Sequence, residues 1–324
     1  MSLATQAGLF GGGLVLGLYS ATLLNRKQSQ ISVVPADAPA PSAPPALTPG
    51  TSDALAITGL PGSLTNVLRQ QGFVDSYDNR LRHPLWSAEH LTAASITRKP
   101  GADGAHRSNS VFTEDMRIPP QFRATNADYF RSGYDRGHMV PAADVKSSQE
   151  AMNETFLLSN IAPQVGEGMN RDYWAHTEDF VRRLTAKFDD LYVFTLPLYL
   201  PRQGSDGKWR VSYEVIGNPP NVSVPTHFAK IVLGVGPKGT SGSMLAQIGL
   251  GSSTALGAFV IPNSMVPNSA PLRSFEMDVN AVERAAGVTL FSPAIKSASK
   301  KLCDTVQCEI IVRDFTKANK RLAS

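Results

Sequence analysis

The feature that most restricts how this chain can fold is a stretch unable to join any core. Residues 28 to about 60, including VVPADAPAPSAPPALTPGTSDA, are rich in Pro, Ala and Ser and poor in large apolar side chains. Such a composition makes an extended spacer rather than a packed element. The chain therefore divides into an N-terminal segment 1–27, a linker 28–62 and a domain 63–324 that begins where apolar residues return near Leu64.

Ahead of the spacer, Met1 to Asn25 carries no charged side chain, and Ala7 to Leu24 is mostly apolar. That run would make roughly 27 Å of helix, close to the thickness of a bilayer core. Arg26 and Lys27 end it. A transmembrane helix is the first expectation, a cleaved targeting segment the second and a buried soluble helix the third. Gly8 with Gly12, and Gly13 with Gly17, would allow close helix approach, although glycine also weakens a helix.

Within the domain, period-two or continuous apolar runs predict strands at 73–78, 155–163, 190–197, 208–217, 226–235, 257–262 and 308–315. Helices are predicted at 170–188 and 278–286, the second closed by a glycine. Many strands with few helices imply an α+β domain with a central antiparallel sheet. At 42% hydrophobic and 18% charged residues, disorder throughout is excluded. A net charge of +4 suits a polyanionic partner. No arginine-rich tract or DNA-reading helix is present, so contact with a nucleic-acid backbone is expected rather than base readout. Cys303 and Cys308 are too few for a zinc site and are read as free or locally bridged thiols. His227 is expected to be a hydrogen-bonded core histidine, and Trp86, Trp174 and Trp209 to be packing residues.

The chemistry concentrates in Asp135-Arg136-Gly137-His138 and in Asn170, thirty-two residues further on. Cutting a phosphodiester requires neutralised charge, a nucleophile made from water and a stabilised leaving oxygen. His138, ordinarily titrating near pH 6.5, can accept the proton of an attacking water. Gly137 lets the backbone approach a neighbour, and Asp135 or Arg136 can fix a turn or contact phosphate. Asn170 offers an uncharged oxygen suited to Mg²⁺, which keeps most of its waters. Trp174, Glu178 and Arg182 follow at steps of four, sharing one broad helix face. A straight helix would set Glu178 roughly 12 Å along the axis from Asn170, so either water bridges the two or the backbone bends near Asn170. Arg182 is placed to pair with Glu178 or to reach phosphate.

The segment FRSGYDRGHMVPAADVKSSQEAMNETFLLSNIAPQVGEGMNRDYWAH resembles the DNA/RNA non-specific endonucleases of the ββα-metal, or His-Me finger, fold. Within them it is most similar to the endonuclease G branch. TLPLYLP, YEVIGNPP, VPTHFAK and IIVRDF extend the resemblance over roughly residues 70 to 315. The resemblance implies His138 as general base, Asn170 as metal ligand, Glu178 as organiser of the metal's water shell, and Arg107 and Arg182 as phosphate-stabilising residues. It further implies Mg²⁺ or Mn²⁺ dependence, cleavage of DNA and RNA to 5′-phosphates, and a homodimer. It also implies attachment to the mitochondrial inner membrane, a catalytic domain in the intermembrane space, and release to the nucleus in apoptosis. One departure is Leu196, where relatives generally carry Gly. Two rival classes remain: a tethered nucleic-acid binder without turnover, and a phosphodiesterase for small nucleotides.

Overall fold

Side-chain alternation along the longest apolar runs builds the frame of the molecule. The computed structural model describes residues 66–97, 104–236 and 254–313. Strands run in chain order as β1 (Val67–Arg69), β2 (Phe73–Asp78), β3 (His83–Leu91), β4 (Asp135–His138), β5 (Ile161–Gln164), β6 (Asp190–Leu198), β7 (Arg202–Gln203), β8 (Trp209–Arg210), β9 (Val215–Ile216), β10 (Val222–Ser223), β11 (His227–Val235), β12 (Thr254–Pro262) and β13 (Lys300–Lys301). Helices are α1 (Asn126–Tyr129), α2 (Gln149–Glu154), α3 (Tyr173–Arg183), α4 (Val279–Ala286), α5 (Pro293–Ala298) and α6 (Leu302–Thr305).

The main sheet has the order β1-β2-β3-β6-β11-β12-β13. All neighbours are antiparallel except β13, which joins β12 in parallel. Successive side chains leave a strand on opposite faces. Leu191 and Val193 of β6, Phe228 and Val232 of β11, and Phe259 and Ile261 of β12 therefore pack on one face with Trp174 and Phe180 of α3. Tyr192, Phe194, Leu196, Ala229, Ile231 and Ala258 fill the other face against Val279 and Val282 of α4. Burial on both sides explains why these strands read as nearly continuous apolar runs. Leu196 is an ordinary member of β6 opposite Ala229, fully buried, so a larger residue in place of glycine is accommodated as core.

A separate two-stranded ladder, β4 with β5, leads through a turn into α3. This ββα unit packs on the α3 side of the sheet and carries the residues of interest.

Several expectations need correction. Of 155–163, Leu158–Asn160 is a single tight turn and only its end enters β5. The run 208–217 splits into β8 and β9, because residues 201–215 are all exposed and have no face to bury. Trp209 is accordingly 66% exposed, whereas Trp86 and Trp174 are buried as expected. The described part of 308–315 forms no strand; it is tied down by a Cys303–Cys308 disulfide and by Arg183 donating to the Glu309 carbonyl. The helix expected over 170–188 begins at Tyr173. The N-terminal segment, with its expected transmembrane helix, and the boundary at residue 63 lie outside the described residues. Among the described residues no helix is long and apolar enough to cross a membrane.

Candidate active site

His138 ends β4, and the chain just beyond it is fixed by one buried amide. Asn160 accepts from the Val140 N–H through Oδ1 at 2.9 Å and donates through Nδ2 to the Val140 carbonyl at 3.0 Å. Its own carbonyl accepts from the Met139 N–H at 2.9 Å. Lys230 of β11, itself buried, donates to Thr195 Oγ1 at 2.7 Å and to the Met139 carbonyl at 3.4 Å, joining the sheet to this strand end. Neither residue stood out in the sequence, since an Asn in a loop and a Lys in an apolar strand become clamps only once folded.

The imidazole of His138 lies among rings, 4.7 Å from Phe156 edge-on and 5.3 Å from Phe112. Nε2 is buried without a hydrogen-bond partner. Burial, reinforced by the charge of Arg107, holds its pKa well below 6.5, so the ring is neutral near pH 7 and competent as a base. Arg107 is exposed, with its guanidinium 5.3 Å from the Phe156 ring centre. The two residues therefore share one aromatic wall.

Gly137 is required by close approach: a Cβ there would fall on the buried side chain of Gln164 in β5. At the other end of β4, Asp135 takes both Arg171, with Nε donating to Oδ2 at 2.8 Å, and the Asn170 amide, with Nδ2 donating to Oδ2 at 2.9 Å. A carboxylate only accepts, so it faces the NH₂ group of Asn170 and leaves the amide oxygen for another partner. Of the two readings of Asp135, fixing a turn or contacting phosphate, these bonds show it tying β4 to the turn that holds Asn170. Arg136 stays exposed, bonded to Asn126 Oδ1 at 2.7 Å and 4.4 Å above the Phe112 ring.

Asn170 closes a wide turn, its N–H donating to the Val165 carbonyl at 2.9 Å, with Gly168 at φ 74°. The bend anticipated from the axial spacing is this turn. Beyond it, α3 carries Glu178, which feels the charge of Arg107, and Arg182 one turn further on. Burial raises the Glu178 pKa, while Lys230, Arg182 and Arg107 offset the rise. Arg182 pairs with buried Asp144 at 2.8 Å rather than with Glu178, and the charges of both carboxylates outweigh burial to raise its pKa. Asp144, just beyond His138, and the buried Glu89, whose carboxyl oxygens have no hydrogen-bond partner, were missed because no local pattern links either to α3.

Among the described residues no three His, Cys, Asp or Glu converge as a metal cage. The donors present suit a different ion. One oriented neutral oxygen at Asn170, with the half-buried carboxylate of Glu178 on the helix that follows, suits a hard cation that keeps most of its waters. His227 is half-buried and bonded to Thr226 Oγ1 at 3.0 Å, a structural role.

A neutral buried histidine, flanking guanidiniums and an aimed amide oxygen on a ββα unit define a phosphodiester-cleaving nuclease. Comparison with known proteins makes this specific. The DNA/RNA non-specific endonuclease family matches residues 51–296, and the chain belongs to that family. It is 46% identical to a mitochondrial nuclease of Saccharomyces cerevisiae over 80% of this chain and 76% of that protein. It is 37% identical to the mitochondrial endonuclease G of Caenorhabditis elegans over 85% of this chain and 83% of that protein. A crystal structure of an EndoG/EndoGI complex aligns with TM-score 0.68 and 39% identity, covering 79% of this chain and all of that one. The chain is thus an endonuclease with a mixed α+β fold around a central sheet.

Proposed function

We propose that this endonuclease cuts DNA and RNA through His138 as general base and Asn170 as the protein's ligand to Mg²⁺ or Mn²⁺. The observation carrying this reading is the pairing of a buried neutral imidazole with an amide whose oxygen is aimed by Asp135. His138 takes a proton from the attacking water. Arg107 and Arg182 face the charge that grows on the phosphate, and Glu178 accepts hydrogen bonds from water near the cation. Bound at Asn170, the metal ion would supply Lewis-acid stabilisation of the phosphate and leaving oxygen. The products are 5′-phosphate ends. Asp135 positions Asn170, and Arg136 contacts the substrate backbone. Names of the relatives support a mitochondrial setting. We place the N-terminal segment in the inner membrane, the domain in the intermembrane space, and the active form as a homodimer released to the nucleus in apoptosis.

The test is cleavage of supercoiled DNA and of RNA by the purified chain with Mg²⁺. Chelation by EDTA and the substitution His138→Ala should each abolish it. Undiminished cutting by His138→Ala would remove the imidazole from the mechanism.

A further inference from the structure

The far end of β4 borders a feature the cleavage chemistry leaves unused. A cavity of about 350 Å³ opens beside Arg136, walled by Asn126, Tyr129, Phe130, Arg131 and Tyr134. Its size lies at the lower end of the range for small-molecule clefts, roughly 300–1,000 Å³.

Charge and shape narrow the occupant. Arg131 and Arg136 are both exposed. The acidic groups around them are already engaged: Asp135 by Arg171 and Asn170, Glu214 by the Tyr134 hydroxyl at 2.9 Å, and Asp128 by Thr125 and Asn221. Only Asp135 among these is offset by a cation, so it is the two exposed guanidiniums of Arg131 and Arg136 that offer the rim's donors to an anion. Phe130 is 71% exposed, with the Arg131 guanidinium 5.0 Å from its ring centre. Arg131 holds a left-handed φ of 55°, a conformation a side-chain-bearing residue rarely adopts, and it sits next to the exposed ring. Tyr129, which lines the same wall, has a buried hydroxyl with no hydrogen-bond partner. An exposed aromatic ring with Arg131 against one side, a second cation at Arg136 and a pocket on the strand that carries the base match a nucleotide better than a free anion, because an anion has no use for the ring.

We propose that this cavity seats one unpaired nucleotide flanking the scissile phosphate, its base stacked on Phe130 and its phosphates facing Arg131 and Arg136. Stacking tolerates every base, which agrees with a nuclease that does not read sequence. A base held in a duplex must first leave its own stack, so the subsite favours single strands and unwound junctions. This inference rests on the nuclease reading above.

Steady-state cleavage with Mg²⁺ tests it, using a short single-stranded oligonucleotide, the same sequence as a duplex, and bis(p-nitrophenyl) phosphate, a phosphodiester without a nucleoside. Phe130→Ala should raise KM for the single strand about tenfold with kcat unchanged, within the span of base–aromatic stacking. Phe130→Trp should restore it, and Arg131→Gln should raise KM in a salt-sensitive manner. Turnover of the small diester should stay the same in all three variants. An unaltered single-strand KM in Phe130→Ala, or an equal loss on the small diester, overturns the subsite. Wild-type protein that cuts neither polymer overturns the nuclease reading and the subsite together.

Discussion

At the scale of single residues, the site works by what it withholds from water. His138 is kept neutral by burial first and by Arg107 second, so its proton affinity is below that of a free imidazole. Because the base is active when unprotonated, kcat/KM should stay level as pH falls through 6.5 and bend downward only below it. An acid limb with an apparent pKa at or above 6.5 in a pH–rate profile would contradict this. Asp135 makes a second prediction. Asp135→Asn loses the charge that grips Arg171 and frees the Asn170 amide to turn. Mn²⁺ affinity, read by calorimetric titration, should drop about 10–100-fold, the usual effect of removing a group that orients a ligand.

Among the elements, the ββα unit explains both what could be read in the sequence and what could not. His138 and Asn170 stand out in the sequence by residue type and spacing, Glu178 by its helix face, and Arg107 only by the resemblance to a family. β6, β11 and β12 were legible because their apolar runs are long, and β2 because its apolar residues Phe73, Val74 and Tyr77 mark a short strand. β3 was hidden by Pro84 and by two histidines, although it lies inside the sheet beside a register shift between Ser76 and Tyr77. β4 was hidden as well, because DRGH looks like a polar turn and pairs only with another short strand. Asp144, Lys230 and Asn160 make their contacts across 20 or more residues of sequence, and no local pattern announces those contacts. The Gly137 contact, by contrast, could be anticipated: the motif suggested that the backbone approaches a neighbour there, and the Gln164 side chain packs against the α-carbon. Gly137→Ala should therefore cost about 1–3 kcal/mol in denaturant unfolding, as overpacking does, and should lower kcat by displacing His138.

Taken as a whole molecule, the domain sets a cluster of charges between its sheet and α3. Arg182 and Asp144 form a pair in which Asp144 is 2% exposed. Breaking it with Arg182→Met strands a buried carboxylate and should cost about 3–5 kcal/mol of stability. The double variant Arg182→Met with Asp144→Leu should recover most of that loss in urea unfolding while remaining inactive. If the double variant is no more stable than the single, the pair is not the source of the penalty.

The tail end of the described chain lies against the helix that bears Glu178. Arg183 reaches the Glu309 carbonyl, Arg313 pairs with Asp179 at 3.5 Å, and the Cys303–Cys308 bridge closes the loop just before them. Trimming this strap, or reducing its crosslink, would let the working helix roll on the sheet. A truncation far from the catalytic groups could then silence cutting while the rest of the protein still folds.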